Sequence, residues 1–238
     1  MTSAVLALSG VVKDYRGLRP LRIAALSVAA GEHVALVGID QVAAEVLINL
    51  ITGATLPEAG DVCVFGRPTA AIADSDDWLA TVDRFGIVSE RAVLLESLTV
   101  IQNLAMPFTL EIEPPPDDAR RQASALAREV GLPESGWEQP IATLDATSRV
   151  RLRLGRALAL DPSVLLLEHV SAGLSAQEAE ALGADIRAIA NRRGAAILAA
   201  TVDERFARAA AGRILTWAPA TGRLTELRTG RWFGRLLG

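Results

Sequence analysis

Short apolar runs and amphipathic stretches follow each other along the chain, a pattern typical of α/β proteins. A short, fully apolar run predicts a strand that is buried on both faces, and helical periodicity follows most of these runs. The pattern therefore predicts a mostly parallel sheet with right-handed helical crossovers. The predicted strands of this sheet are residues 34–37, 85–88, 164–167 and 195–200, and the predicted helices are 43–51, 175–193 and 203–210.

Weaker patterns predict further elements outside this alternation. Partial alternation of apolar and polar positions predicts strands at residues 4–12, 21–28, 61–65, 213–217 and 223–227. The spacing of apolar positions in residues 74–84 predicts a helix with Trp78, Leu79 and Val82 facing inward.

Residues 90–160 differ from the rest of the chain because their pattern is mostly helical. We interpret them as a helical subdomain inserted into one α/β domain, whose core comprises residues 1–89 and 161–230. The final stretch, 231–238, is a basic and aromatic tail.

Composition narrows the class of protein. The 238 residues are 50% hydrophobic and carry a formal net charge of −4, which supports a full core and argues against a broad nucleic-acid-binding surface. Cys63 is the single cysteine, so no internal disulfide can form and a reducing compartment fits. The chain has no signal-peptide pattern and no apolar run of about 18–20 residues. We therefore expect a soluble chain, or one held at a membrane by a partner.

The stretch 31–53 has the frame of a phosphate-binding loop, namely a strand, a glycine turn and a helix. The loop itself departs from Gly-x-x-x-x-Gly-Lys-[Ser/Thr], since the chain reads Gly-Ile-Asp-Gln-Val-Ala-Ala-Glu from Gly38. Ala43 stands at the second glycine, Ala44 at the lysine and Glu45 at the hydroxyl residue. The frame is present, but the groups that bind phosphate are replaced.

Glu45 has two interpretations. Beside a phosphate it would be repelled, because like charges about 4 Å apart cost roughly 4 kcal/mol at an effective dielectric of 20. A phosphate hydrogen bond returns only about 1.5–3 kcal/mol. Alternatively, Glu45 lies in the first turn of its helix, where a carboxylate suits the helix dipole. We prefer this second, structural interpretation.

Outside the loop, the chain contains a series of scaffold motifs, namely Asn49–Gly53, Gly60–Gly66, Leu98–Leu104, Arg156–Pro162, Leu165–Leu167 and Ala172–Leu174. In these motifs, and in the order and spacing of its segments, nearly the whole chain resembles the ATP-binding cassette (ABC) ATPases, the motor subunits of ABC transporters. The resemblance implies a P-loop NTPase-like fold with a mostly parallel sheet core, an antiparallel β subdomain and an inserted helical subdomain. It also implies ATP and magnesium, which are cofactors of the family and are suggested for this chain by the resemblance alone.

The resemblance also points to candidate site residues, most of which differ from the family's motifs. The position-equivalent residues are Tyr15, Gly38, Asp40, Ala43, Ala44, Glu45 and Val46 for nucleotide binding, Asp145, Ala146, Thr147 and Ser148 for the signature, and Glu90, Glu168, His169 and Val202 for catalysis and switching. Tyr15 matches the aromatic residue that stacks on adenine in that family. Because the other motifs are altered, we predict a pseudo-ATPase and assign no catalytic or metal-binding residue.

The remaining candidates keep alternative interpretations. Tyr15 either stacks on a base or packs as a core aromatic. Glu168 either binds magnesium or is a polar residue at a strand end, and His169 either acts as a general base or is a loop residue hydrogen-bonded locally. We interpret Asp145 as a helix N-cap rather than a phosphate contact. The arginines at 149–156 are expected to form a solvated or subunit-facing surface.

Three functions fit these expectations. The first is a non-catalytic ABC subunit that holds or regulates a transport complex at the cytoplasmic face of a membrane. Its partners would be a permease docked around residues 90–106 and a second ABC ATPase-like subunit, identical or different, with no role for nucleic acid. The second is a transporter subunit with weak or rewired ATP hydrolysis through Glu168 and His169. The third is a soluble regulator that uses the fold to bind a protein.

Overall fold

The computed structural model describes residues 4–227, and the predicted tail at 231–238 lies outside them. The strands of the described residues are β1 (Ala4–Lys13), β2 (Leu21–Ala29), β3 (His33–Val37), β4 (Ala59–Val64), β5 (Arg67–Pro68), β6 (Phe85–Val88), β7 (Val164–Glu168), β8 (Ala196–Thr201), β9 (Arg213–Ala218) and β10 (Arg223–Glu226). The α-helices are α1 (Gln41–Ile51), α2 (Ser75–Val82), α3 (Val100–Ala105), α4 (Asp117–Glu129), α5 (Ala146–Ala157), α6 (Ala176–Arg193) and α7 (Glu204–Ala210). Short 3-10 helices span Thr69–Ala71, Glu134–Gly136 and Ile141–Thr143.

The strands form two sheets. The larger has the order β10-β9-β3-β8-β7-β6, and its neighbours are parallel except β9 and β10. The smaller has the order β2-β1-β4-β5 and is antiparallel throughout. Together with the helices between β6 and β7, these sheets confirm the predicted fold class.

The three central strands are buried on both faces, which explains why their sequences are apolar without alternation. Successive residues nevertheless enter different clusters. Val34, Leu36 and Leu166 pack in one cluster with helix α1 and the antiparallel sheet. Ala35 and Leu167 pack on the opposite face, in a second cluster with helices α3 to α7. The larger sheet is therefore the layer on which both halves of the core are built.

The register of the central strands determines where polar groups meet. Val37 pairs with Thr201, and Glu168 pairs with Ala200. Since parallel strands end at the same edge, the residues that follow β3, β7 and β8 gather there, where ligands commonly bind in open α/β sheets. The joint that begins at Gly38 lies at this edge.

Helices α3, α4 and α5 lie between β6 and β7 in the chain, where a helical pattern was expected. Thr99 caps α3 through a capping box with Gln102, which fixes the start of that helix at Val100. The division of the chain into core and inserted subdomain stays a prediction. We call residues 90–160 the helical segment below.

The inward orientation predicted for Leu79 is wrong. Helix α2 has no buried residue, and Leu79 is 51% exposed. Trp78 is half-buried and donates its indole N–H to the carbonyl of Thr52 at 3.0 Å. A short helix that lies on the surface contacts the core along only one line of residues, so neighbouring apolar positions are left in solvent.

Gly86 allows β6 to approach the end of helix α5 closely. A Cβ at Gly86 would lie 2.7 Å from the carbonyl oxygen of Ala157 and from a methyl carbon of Leu165. We expect Gly86→Ala to destabilise the fold by about 1–3 kcal/mol because of overpacking, measured as a lower midpoint of urea unfolding. Gly136→Ala is the matched control, since a Cβ there meets nothing within 4 Å. Equal midpoints for the two variants would refute this account of β6 packing.

Candidate functional site

In the joint between β3 and α1, three backbone N–H groups already donate hydrogen bonds to oxygens of the same chain. Gly38 has a φ of 88°, and its N–H donates to the carbonyl of Thr201 at 3.1 Å. The N–H of Ala43 donates to the Asp40 carboxylate at 2.8 Å, and the N–H of Ala44 donates to the Asp40 carbonyl at 2.9 Å. Asp40 therefore acts as the N-cap of α1, and these donors are not available to an incoming phosphate.

The preferred interpretation of Glu45 is wrong. Helix α1 has no acidic residue in its first turn, because the helix begins at Gln41 and Glu45 is one turn further along. The Glu45 carboxylate instead accepts a hydrogen bond from Nη1 of Arg91 at 3.0 Å. Its charge is balanced by a side chain 46 residues away in sequence and not by the helix dipole.

Glu168 ends strand β7 and is completely buried. Its Oε1 accepts a hydrogen bond from Nε2 of Gln41 at 2.7 Å, and its Oε2 accepts one from Nη2 of Arg91 at 2.6 Å. Both carboxylate oxygens are thus bound by groups of the chain. The prediction of a polar residue at the strand end is confirmed, and the partners of that residue are now defined.

Arg91 joins the two carboxylates, and sequence reasoning missed it. Its guanidinium lies between Glu45 and Glu168 and remains 41% exposed. The hydrogen bond to Glu168, ahead of the charges of both carboxylates, holds the pKa of Arg91 above its usual value. One signal was available: a buried strand-end carboxylate needs a cation, and Arg91 directly follows the candidate Glu90. We call Gln41, Glu45, Arg91 and Glu168 the charge cluster.

The charge cluster does not fit a magnesium ion. Magnesium needs open carboxylate oxygens and retained waters in octahedral geometry, whereas both oxygens of Glu168 already accept hydrogen bonds from the chain. Among residues 4–227 no group of three or more His, Cys, Asp or Glu side chains could hold a metal ion. A guanidinium lies beside Glu168 where the family resemblance implies a metal.

His169 follows Glu168 but does not belong to the charge cluster. It has a φ of 47° and is 8% exposed, and its backbone N–H donates to the carbonyl of Ala200 at 2.9 Å. Its Nε2 has no hydrogen-bond partner among the described residues. The ring lines a cavity with Glu90 and Arg153 that has room for about one water molecule. Local hydrogen bonding is therefore confirmed for the backbone of His169 and not for Nε2 of its ring.

The signature-equivalent residues lie at the start of α5. The N–H of Ser148 donates to the Asp145 carboxylate at 2.7 Å, which confirms the N-cap interpretation. Ala146 is the first residue of the helix, and the hydroxyl of Thr147 lies 3.4 Å from the carboxylate of Glu178 on α6. The hydrogen bonds of the described residues connect none of them to the charge cluster. Val202, at the switch position, is 66% exposed and has no proton to transfer.

The four arginines of α5 are partly buried, and each bonds within the chain. A role for them in facing another subunit stays a prediction. The recorded partners are the Glu96 carboxylate for Arg149, the Asp185 carboxylate and the Val130 carbonyl for Arg151, the Ala92 carbonyl for Arg153, and the Val93 carbonyl for Arg156. Three of these arginines therefore bond to the stretch 92–96, directly after Arg91.

Tyr15 is half-buried and packs against the core cluster that contains α1. Its ring covers Gly17, where a Cβ would lie 2.6 Å from a ring carbon. Burial, and secondly the negative charge of Asp40, raise the pKa of Tyr15 above 10.0. Packing is therefore established, and a role in stacking on a base stays a prediction.

A family model described as ABC transporter matches residues 21–170. The chain belongs to the ABC transporter family. The equivalences between single residues of this chain and the family's motifs stay predictions. On those predicted equivalences, Gln41 and Glu45 lie in the phosphate loop and Glu168 at the metal position, whereas Arg91 lies outside the motifs.

Relatives of known name support this membership. The lipoprotein-releasing system ATP-binding protein LolD of Psychrobacter arcticus is 26% identical over 207 residues, which are 87% of this chain and 86% of LolD. The methionine import ATP-binding protein MetN of Brucella abortus is 29% identical over 190 residues, 80% of this chain and 51% of MetN. The chain thus spans about half the length of MetN.

Solved ABC structures share the fold. The dimeric bacterial ABC transporter cassette MJ0796 superposes with a TM-score of 0.77 at 21% identity, over 94% of this chain and 100% of MJ0796. No helix within residues 4–227 is both long and apolar enough to cross a membrane.

Tyr15 is the only tyrosine, so its titration can be followed by absorbance of the phenolate near 295 nm. We expect a midpoint above 10.0 in the folded chain, and a lower midpoint in Asp40→Asn, which removes the charge but keeps an N-cap. The raised pKa contributes stability that is present below the unfolded value and lost as pH rises through the folded value. An unchanged midpoint in Asp40→Asn would show that Asp40 does not act on Tyr15.

Substitutions of Arg91 and Glu168, singly and together, should show how strongly these two side chains are coupled in energy. Arg91→Met leaves the buried Glu168 carboxylate without its cation, and we expect a loss of about 1–3 kcal/mol in the free energy of unfolding. Glu168→Gln removes that unpaired charge, so the double variant should cost less than the sum of the two single variants. Urea unfolding of the four proteins measures this coupling. Strict additivity would show that the two side chains do not interact energetically.

Proposed function

We propose that the chain is a nucleotide-binding-domain-like subunit of an ABC transport complex that does not hydrolyse ATP and has a structural or regulatory role. The observation that carries the proposal is the charge cluster, in which Arg91 and Gln41 bind both oxygens of Glu168. A magnesium-nucleotide would have to displace these bonds.

Electrostatics at the joint also oppose nucleotide binding. The phosphate groups would approach the Glu45 and Glu168 carboxylates, and Arg91, the cation recorded with both, is already bound to them. The lysine position holds Ala44, which is fully buried. The N–H groups at 43 and 44, which would otherwise contact a phosphate at a helix N-terminus, are bound to Asp40.

Family membership supports the partners that we propose. The named relatives are an ATP-binding protein of a lipoprotein-releasing system and one of methionine import, and MJ0796 is dimeric. By analogy, this chain would bind a permease through the surface around residues 90–106 and pair with a second ABC ATPase-like subunit, at the cytoplasmic face of a membrane. Val93, in this stretch, is 71% exposed and available for contact.

Rewired ATP hydrolysis is the second candidate, and the unpartnered Nε2 of His169 is the observation that favours it. A general base must reach the water it activates. The cavity that His169 lines with Glu90 and Arg153 has room for about one water molecule and none for a nucleotide. We therefore prefer the non-catalytic function.

A calorimetric titration with magnesium-ATP distinguishes the two candidates. We expect no saturable binding up to millimolar ATP, because Arg91 and the N–H groups of Gly38, Ala43 and Ala44 are already bound within the chain. Binding below millimolar concentration, with phosphate release that His169→Ala abolishes, would establish the enzyme instead.

The matched variant for this titration is Ala44→Lys with Glu45→Ser, which restores the family's lysine and hydroxyl residue and frees one side of Arg91. It should bind magnesium-ATP more tightly than the unaltered chain. An ABC ATPase with an intact loop serves as the positive control for the assay.

A further inference from the structure

Three arginines connect the helical segment to the rest of the described chain at separate places. Arg91 extends from the start of the segment to the edge of the larger sheet, where it bonds Glu45 and Glu168. Arg151 and Arg193 make their connections elsewhere, through α5 and α6. We call these three residues the arginine lock.

Arg193, at the end of α6, binds the far end of helix α4. Its Nε and Nη2 donate to the two carboxylate oxygens of Glu129 at 2.8 and 2.6 Å. Its Nη1 donates to the carbonyl of Leu158 at 3.1 Å and to the Asp161 carboxylate at 3.0 Å. The Arg193 and Glu129 side chains are only 19% and 23% exposed. Two parallel hydrogen bonds of this kind fix orientation as well as distance.

Arg151 makes the third connection, from the middle of α5. One guanidinium nitrogen donates to the carbonyl of Val130 at 2.6 Å, and another pairs with the Asp185 carboxylate on α6. The Arg151 side chain is 17% exposed. Helices α4 and α5 are thereby both joined to α6, which lies outside the helical segment in sequence.

The stretch that carries Arg91 is itself fixed to the helical segment. Arg149 binds the Glu96 carboxylate with two hydrogen bonds of 2.5 and 3.0 Å. The fully buried Asn103 accepts from the N–H of Leu95 at 3.0 Å and donates to its carbonyl at 3.1 Å. A displacement of α3 or α5 relative to the sheet would therefore pull on Arg91 and its carboxylates.

We infer that the arginine lock holds the helical segment in one orientation against the sheet core, with or without nucleotide. Charge-assisted hydrogen bonds fix orientation as well as distance, and here they act at three separate places. The inference rests on the proposed function, because a subunit that does not respond to ATP presents one fixed surface to its partners.

The test measures the orientation by electron spin resonance. Nitroxide labels are placed on exposed residues of two helices, Gln122 on α4 and Ala184 on α6, in a Cys63→Ser background that removes the single native cysteine. The labelled chain that keeps all three arginines of the lock should give one narrow distance distribution, and magnesium-ATP should not change it. Arg91→Met with Arg193→Met should raise the population of other orientations from under about 1% to above about 10%.

Arg120→Met is the matched control. It removes an exposed ion pair with Glu138 that lies wholly within the helical segment, so the distribution should stay narrow. The lock would be overturned if the unaltered chain, without nucleotide, gave a distance distribution as broad as that of the double variant. Equal broadening in Arg120→Met would also overturn it. If the arginine double variant does not fold, Glu45→Gln with Glu129→Gln removes the Arg91–Glu45 and Arg193–Glu129 pairs from the opposite side. It leaves the Arg91–Glu168 pair in place, so it should broaden the distribution in the same direction but to a smaller extent.

Different measurements test the arginine lock and the proposed function, so either one can be refuted without the other. The distances are measured without nucleotide, so a broad distribution refutes the lock whatever the titration with magnesium-ATP gives. Conversely, ATP hydrolysis that His169→Ala abolishes, by a chain whose distribution stays narrow, would refute the proposed function and leave the lock intact.

Discussion

The buried carboxylate of Glu168 is the constraint on which the structure around the sheet edge depends. An ionised carboxylate without solvent costs several kcal/mol unless it is paired and hydrogen-bonded. Gln41 satisfies one oxygen and Arg91 the other. This requirement ties together three parts of the chain, because Gln41 opens α1, Arg91 lies in the stretch that leads to α3, and Glu168 ends β7. The path of that stretch over the sheet edge is thus set by charge as well as by apolar packing.

Glu45 completes this arrangement. It brings a second carboxylate to Arg91 and lies 41% exposed, so its pair with Arg91 is screened by solvent and worth less than the buried one. The Glu45 pair orients the guanidinium, whereas the Glu168 pair compensates a charge that has no solvent. An incoming anion would compete with both carboxylates for the same guanidinium, and this competition is the physical basis for the proposed loss of ATP binding.

The larger elements of the fold were predictable because they follow from local patterns. Burial on both faces makes β7 apolar up to Glu168 and β8 apolar up to Thr201, and the predicted N-cap at Asp145 directly precedes α5. The charge cluster was not predictable in this way. Arg91 and Glu168 are 77 residues apart in sequence, and no periodicity connects them. The interpretation of Glu45 was wrong because a plausible local explanation, the helix dipole, was preferred to a distant partner that sequence alone does not reveal.

The core depends on apolar packing, whereas the charge cluster at the sheet edge depends on the pairing of buried charges. The residues at the sheet edge can therefore differ from the family's motifs while the core keeps its apolar character. Val34, Leu36 and Leu166 are buried by contacts among strands, α1 and the antiparallel sheet, and none of these contacts involves a phosphate. Residues beyond the strand ends are free to change as long as buried charges remain paired. Glu168 shows the limit of this freedom, since a carboxylate buried at that position requires a donor and a cation in the same fold. A replacement of the family's residues there is stable only as a set, and Gln41, Arg91 and Glu168 form such a set.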